Sequence, residues 1–370
     1  MINNRNLQTF FDCGFSKIRA AVFIKNNQNK VFYEESKFFT NHLNLNLEIQ
    51  KMITSLESNN NEYIDNINLM LDSPKMLSVG ISISKKLDGS ILSQTNIQFL
   101  IQEAKQQILK YYKNYNITHI IINNYKIDGV NYSYLPNEIK CYFISLDILF
   151  ICLPIDLVRY FKNIFSKSNI LVKKIICSSY AKSINYKDNL SLTGHVSFID
   201  LGFNKTSVIS YFNDNVLSLD VLPIGGNNIT KDISKILEID LEQAEHIKNN
   251  YDKNLKLSND FNFSSEIIQK VILARIQEIL ELCIKSIKSN ISIQGQFKIV
   301  LMGEGSKILN NQYTNKFLSL YNMVLFEENT KNICQSGFKL EKGLNKKEII
   351  VIPKKQTKHG FFEKLFHLFG

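Results

Sequence analysis

The sequence predicts an α/β fold of two similar lobes with a cleft between them, and three observations carry that expectation. First, "FFDCGFSKIRAAVFIKNNQNKVFYEE" (residues 10–35) resembles "FIDLGFNKTSVISYFNDNVLSLDVL" (198–222): Asp12, Gly14, Phe15 and Lys17 match Asp200, Gly202, Phe203 and Lys205 at identical spacing. Second, 370 residues exceed one comfortable core. Third, 44% hydrophobic and 21% charged residues are the balance of a folded globular chain.

Each copy opens with an apolar strand, turns at Asp-x-Gly, re-enters a β-rich strand, turns at an Asn-rich loop and runs a third strand. Two such meanders far apart in the chain indicate a duplicated domain. "LPIGGNNITKDISKIL" (222–237) reads as strand, Gly-Gly turn and helix, with Thr230 and Asp232 expected at the helix start, where first-turn N–H groups are free. A second helix comes next, over 240–251. A long one spans Glu266–Lys288, its apolar stripe made by Ile268, Val271, Ile272, Ile276, Ile279 and Leu280. "FKIVLMGEGSKI" (297–308) is an apolar strand ending in a Gly-x-Gly-Ser turn. Cys141–Leu153 carries Asp147 and is short of the about 20 apolar residues a membrane span needs, so it reads as a buried strand.

The formal charge is +10, and +4 of it falls in residues 345–370, leaving a mildly basic body and no nucleic-acid expectation. Six scattered cysteines form no CxxC pair, and six histidines show no ligand spacing, which argues against a disulfide framework or a zinc site. The N-terminal stretch lacks the apolar run of a signal peptide, so a reduced, cytosolic protein is expected.

The chemistry of the turns suggests a phosphate site. A glycine hairpin lets backbone N–H groups approach phosphate oxygens. An Asp just before it, Asp12 or Asp200, can hold a hydrated Mg²⁺. Two such hairpins facing across a cleft would clamp a triphosphate. Glu245 and Lys248, at i,i+3, share a helix face and suit either a ribose contact or a surface ion pair. There is no Gx₄GK[ST] loop and no G-x-S-x-G elbow.

The order of these elements resembles the actin–hexokinase–chaperone ATPase superfamily. "LPIGGNNITKDI" with "AEHIK" after it is similar to the FtsA family of bacterial cell-division proteins. "IINNYKIDGV", the strand "SLDILFICLP" and the helix "IDLVRYFKNIFSKSN" resemble the region of the family's inserted subdomain, and "CQSGFKLEKG" its returning C-terminal helix. The resemblance implies a two-lobed actin-like (duplicated ribonuclease-H-like) fold. The first lobe would take residues 1–77 and 155–195, with a returning helix at 333–344. An FtsA-type insert would take 78–154, and a second lobe 196–332, whose small subdomain runs from about 238 to 295. It implies ATP held by Gly14, Ser16, Lys17, Gly202, Asn204, Lys205, Thr206, Gly225, Gly226, Glu245, Lys248, Gly303, Gly305 and Ser306, with Mg²⁺ through water on Asp12 and Asp200. It also implies self-assembly into filaments and binding of the FtsZ C-terminal peptide at the cytoplasmic face of the inner membrane, at the division septum. The basic rim Lys270, Arg275, Lys285 and Lys288 is a candidate contact for that acidic peptide.

The chain departs from the family pattern. Phe15 replaces a small hydroxyl residue, Phe203 and Asn204 stand where glycines are usual, and Glu304 sits between Gly303 and Gly305. In "ICSSYAKSINY" (176–186), Ser178 and Ser179 occupy the place of a water-activating acid or amide. No catalytic residue is assigned, and hydrolysis is expected to be slow or absent.

Residues 345–360 read as a Lys-rich tether. Beyond it, Phe361, Phe362, Leu365, Phe366, Leu368 and Phe369 fall within about 160° of a helical arc, with Lys364 beside them. At about 13 Å the helix is too short to span a bilayer but suits its interface. Two alternatives share the superfamily: a PilM-like type IV pilus assembly protein, and a sugar- or acetate-kinase-like enzyme, which would need a catalytic Asp or Glu facing a second substrate.

Overall fold

The computed structural model describes residues 7–24, 27–37, 45–250, 265–290, 297–309 and 316–349. It has the actin-like ATPase fold, an α/β architecture with mixed sheets. The first lobe begins with the meander β1 (Leu7–Cys13), β2 (Lys17–Ile24) and β3 (Asn27–Lys37), then helix α1 (Leu45–Asn60) and β4 (Asn66–Leu71). After an insert, the lobe resumes with α3 (Ile155–Ser166), β9 (Leu171–Cys177) and α4 (Ser178–Asn189). Its sheet runs β3-β2-β1-β4-β9, the meander antiparallel and the last two strands parallel to β1.

The second lobe repeats this plan. It contains β10 (His195–Leu201), β11 (Thr206–Phe212), β12 (Asn215–Leu222), β13 (Lys298–Met302) and β14 (Met323–Leu325), ordered β12-β11-β10-β13-β14. The same strand order in both sheets is the structural form of the repeat read from the sequence. Helices α5 (Gly226–Leu237), α6 (Leu241–Asn250) and α7 (Ser265–Asn290) lie between β12 and β13. The α7 stripe is core, with Ile272, Ile276, Ile279 and Leu280 buried. α8 (Lys316–Leu320) precedes β14.

The insert forms its own sheet, β5-β8-β6-β7, from β5 (Leu77–Lys86), β6 (Tyr115–Ile127), β7 (Val130–Tyr132) and β8 (Phe143–Pro154), with helix α2 (Gln94–Tyr111). β8 lies between β5 and β6 and is covered on both faces, Ile148, Phe150 and Cys152 packing in the cluster with α2 and Leu149, Ile151 and Leu153 in the main core, which explains its nearly continuous apolar run. α2 starts where Ser93 and Asn96 cap each other reciprocally. Asn123 Nδ2 donates to the Val216 carbonyl at 2.7 Å, joining the insert to the second lobe. No helix among the described residues is long and apolar enough to cross a membrane.

The chain then returns to the first lobe through α9 (Thr330–Glu341). Phe338 stacks on Phe23 at 4.6 Å and meets Phe10 edge-on at 6.0 Å. Burying one such ring is worth about 1.5–3 kcal/mol, so this return helix ties the C-terminal part of the chain to β1 and β2.

Two local expectations need correction. α5 begins at Gly226, so Thr230 and Asp232 lie in its second turn rather than at its start. The cap is Gly225, whose N–H donates to Asn228 Oδ1 at 3.0 Å. The other concerns the tether expected from Asn345: its first residues are held against the fold. Ile122 N–H donates to the Lys347 carbonyl at 3.0 Å and Ile349 N–H to the Ile120 carbonyl at 2.9 Å, adding a short antiparallel strap to the edge of β6. Residues 350–370, including Phe361, Phe362, Lys364, Leu365, Phe366, Leu368 and Phe369, lie outside the described residues.

Candidate functional site

The two Asp-x-Gly hairpins fold alike. Gly14 N–H donates to the Lys17 carbonyl and Gly202 N–H to the Lys205 carbonyl, both at 2.9 Å. These turns aim Asp12, Lys17, Asp200 and Lys205 into one cleft, and all four side chains are buried there. The β1–β2 register sets Arg19 directly opposite Asp12. From α4, Ser178 and Lys182, one turn apart, enter the same space.

The cleft is internally neutralised. Arg19 Nη1 pairs with Asp12 Oδ2 at 3.2 Å, and Ser178 Oγ donates to Asp12 Oδ1 at 2.6 Å. Lys182 lies 2.9 Å from Asp200 and 3.2 Å from Glu328. Lys205 lies 2.9 Å from Asp72. Lys17 and Arg19 share the Glu304 carboxylate at 2.8 and 2.9 Å. Burial opposes the charged form of Lys182 and Lys205, but the surrounding carboxylates outweigh it and raise both ammonium groups above their usual range. Burial and the charge of Asp200 push the Glu328 carboxyl up, while Asp200 itself is held down by Lys182 and Lys205 against its own burial.

This arrangement bears on the nucleotide. The remaining cavity is about 80 Å³, against the several hundred a small-molecule pocket occupies. Each buried cation facing it already has a carboxylate partner, and Asp12 and Asp200 are tied to Arg19 and Lys182. Among the described residues no group of three or more His, Cys, Asp or Glu could hold a metal ion. In this arrangement a nucleotide would have to displace these ion pairs to enter the cleft.

The first-turn donors of α5 are also used. Gly226 N–H donates to the Gly202 carbonyl at 3.0 Å and Asn227 N–H to the Phe203 carbonyl at 2.8 Å. A Cβ at Gly225 would lie 2.6 Å from both of those carbonyl oxygens, so only glycine permits this approach. The helix expected to offer free N–H groups instead braces the second hairpin. Asn204 Oδ1 accepts from Asn227 Nδ2 at 2.9 Å, and Thr206 Oγ1 donates to the Ile224 carbonyl at 2.7 Å.

Glu245 and Lys248 sit together on α6 at 2.5 Å, with Thr230 Oγ1 donating to the same Glu245 oxygen. Lys248 also donates to the Gly226 carbonyl at 3.2 Å, so the pair packs beside the start of α5. Burial lowers the Lys248 ammonium below its usual range, and the Glu245 charge only partly restores it. Gly303 turns at φ +93°, where a Cβ would press on Asp200 and Leu201. Glu304, Gly305 and Ser306 form a 3₁₀ turn (Glu304–Leu309), with Ser306 Oγ donating back to the Gly303 carbonyl. Ser16 is half-buried in the first hairpin.

Of the basic rim on α7, Arg275 is engaged by Asp232 and Glu278, and Lys270 by Glu266. Lys285 and Lys288 are exposed. Sequence reading missed Arg19, Asp72, Lys182 and Glu328. The first could be found from the hairpin register and Lys182 from its i,i+4 relation to Ser178. No local signal pairs Asp72 with Lys205 or Glu328 with Lys182.

Among known protein families, the model "Cell division protein FtsA" matches residues 197–311. A cell division protein FtsA of Buchnera aphidicola subsp. Schizaphis graminum is 25% identical over 208 residues, 52% of this chain and 49% of that one. An FtsA of Bacillus subtilis is 31% identical over 109 residues, 25% of each chain. The chain thus spans half or less of the length of these relatives. It spans 82% of an FtsA of Buchnera aphidicola subsp. Acyrthosiphon pisum, at 24% identity. Among solved structures, a PilM–PilN type IV pilus biogenesis complex matches with a TM-score of 0.63 at 12% identity, over 92% of this chain and 94% of that one.

Proposed function

We propose, from the premise that this chain is a divergent FtsA-family actin-like protein, that it serves as an adaptor in cell division. In this role it assembles with copies of itself and carries the FtsZ C-terminal peptide to the cytoplasmic face of the inner membrane through residues 361–369. The observation that carries the reading is the family match over residues 197–311, the segment that holds the second hairpin, the brace α5 and the helices α6 and α7. Nucleotide, on this reading, enters only after the cross-lobe ion pairs exchange, and acts as an assembly ligand rather than a substrate. The carboxylates of the cleft bind cations or hydroxyls instead of facing a second substrate, which disfavours the kinase alternative.

A PilM-like role in pilus assembly is the second reading, favoured by the structural match over 92% of the chain. The two separate on partner choice. Fluorescence anisotropy with labelled FtsZ C-terminal peptide should show saturable binding that weakens with salt and falls on Lys285→Glu/Lys288→Glu. Binding of a PilN-derived peptide, and none of the FtsZ peptide, would favour the pilus reading.

A further inference from the structure

The geometry points to a second membrane contact on the folded body, an aromatic and basic patch at the end of α2 and the start of α3 that meets an anionic lipid surface together with the C-terminal tail. The patch comprises Lys110, Tyr111, Tyr112, Lys113, Arg159 and Tyr160. Tyr111 is 75% exposed and Tyr160 46%. Ile155 N–H donates to the Asn114 carbonyl at 2.9 Å, which fixes the start of α3 beside the α2–β6 connection. Arg159 and Tyr160 follow Ile155 four and five residues on, within about one and a half helical turns. Asp156 is the acidic side chain in the first turn of α3. Among the described residues no salt bridge engages Lys110, Lys113 or Arg159.

Lys110 lies 5.8 Å from the Tyr111 ring centroid, and large aromatic rings with polar tips beside cations that make no salt bridge among the described residues suit a headgroup interface. An acidic protein would satisfy the cations but leave the exposed rings without reason.

The direction of the chain is an independent reason. The strap Lys347–Ile349 runs antiparallel to β6, with Glu348 opposite Ile121. The chain therefore leaves Ile349 heading toward Tyr115, the end of β6 that adjoins Tyr112 and Lys113. Five residues of strand separate Ile120 from Tyr115, about 17 Å. Residues 350–360 can extend to roughly 36 Å, enough to set residues 361–369 beside the patch. Tail and patch would then share one plane, and each contact would raise the effective concentration of the other. This rests on the reading of residues 361–369 as a membrane helix, and the test separates the two.

The full chain lacks tryptophan, so Tyr111→Trp introduces a single clean reporter. Its emission should shift to the blue on vesicles of phosphatidylcholine with phosphatidylglycerol, and stay unchanged on phosphatidylcholine alone. Lys110→Gln/Lys113→Gln/Arg159→Gln should lower co-sedimentation with the anionic vesicles by about a hundredfold, at close to fivefold per cation near the surface, with no change in melting temperature. Loss of binding in Phe366→Glu with full binding in the triple variant would overturn the patch and leave the tail. Full binding in Phe366→Glu with loss in the triple variant would overturn the tail and leave the patch. A wild-type chain that ignores anionic vesicles, or an indole that never shifts, would overturn the patch outright.

Discussion

Lys17 on the first lobe and Glu304 on the second stand 2.8 Å apart across the cleft, and Arg19 holds the other oxygen of the same carboxylate at 2.9 Å. One side chain of the second lobe thus binds two buried cations of the first. Glu35 supports both cations from the meander side, at 3.1 and 3.4 Å. Lys17 cannot take a phosphate oxygen without sharing or releasing Glu304. On the proposed reading, latch and nucleotide would therefore compete for the same charge.

Glu304→Gln should therefore loosen the lobes and tighten binding of labelled Mg-ATP relative to wild type. It should also destabilise the chain by about 1–3 kcal/mol, because Lys17 and Arg19 lose a charged partner. Equal or weaker ATP binding in the variant would sink the competition. Burial works to raise the Glu304 carboxyl, but hydrogen bonds from Lys17 and Lys307 outweigh it and lower the group from its usual 4.5 to about 2. A folded value below the unfolded one means the contribution is complete above 4.5 and is lost as pH falls through about 2. The stability gap between wild type and Glu304→Gln should stay level from neutral pH down to about 5 and narrow below it. A gap that instead widens on acidification contradicts the assignment.

The strap on β6 is a second place where distant residues close the fold. Cys177 N–H donates to His119 Nε2 at 2.8 Å, which leaves the ring proton on Nδ1, facing Glu348 Oε1 at 2.8 Å. Burial raises the Glu348 carboxyl, and its partnership with His119 overcomes this and holds it below the usual range. Glu348→Gln keeps an acceptor for the Nδ1–H, whereas Glu348→Ala leaves a buried donor unpaired at a cost of about 1–3 kcal/mol. Hydrogen exchange at the Ile122 and Ile349 amides should accelerate strongly in the alanine variant and little in the glutamine one. Identical exchange in both would show that the strap does not depend on this contact.

Much of the fold is legible in the sequence because the repeat is local. Identical Asp-x-Gly-x-x-Lys spacing gives identical turns, and once the turn is known the register places Arg19 against Asp12. The long apolar stripe of α7 is legible for the same reason, since helical period and burial coincide. The cleft is less so. Glu304 reads as an intruder between two glycines, and only the three-dimensional approach of the lobes reveals its cations, 287 and 285 residues away. The start of α5 misleads because Thr230 and Asp232 are good capping residue types, while the cap in the structure is Gly225, chosen by close approach rather than by side-chain chemistry. The strap misleads because a Lys-rich stretch resembles a linker, and its partners His119, Ile120 and Ile122 lie in the insert.

Gly225 and Gly226 test that close approach directly. The two glycines are adjacent, both at the start of α5, and sequence alone gives them equivalent roles. A Cβ on Gly225 would meet the Gly202 and Phe203 carbonyl oxygens at 2.6 Å and the Lys205 nitrogen at 2.9 Å, all backbone atoms of the second hairpin. A Cβ on Gly226 would come no nearer than 3.6 Å, to the Lys248 ammonium. Gly225→Ala must push the hairpin away from the helix, breaking the bonds from the Gly226 and Asn227 amides, and should cost about 1–3 kcal/mol. Gly226→Ala meets ordinary contact and removes glycine from a helix, so it should be neutral or stabilising by about 0.5–1 kcal/mol. Melting curves of the two variants decide the matter. Equal destabilisation by both would mean that the hairpin and the helix are not braced through Gly225.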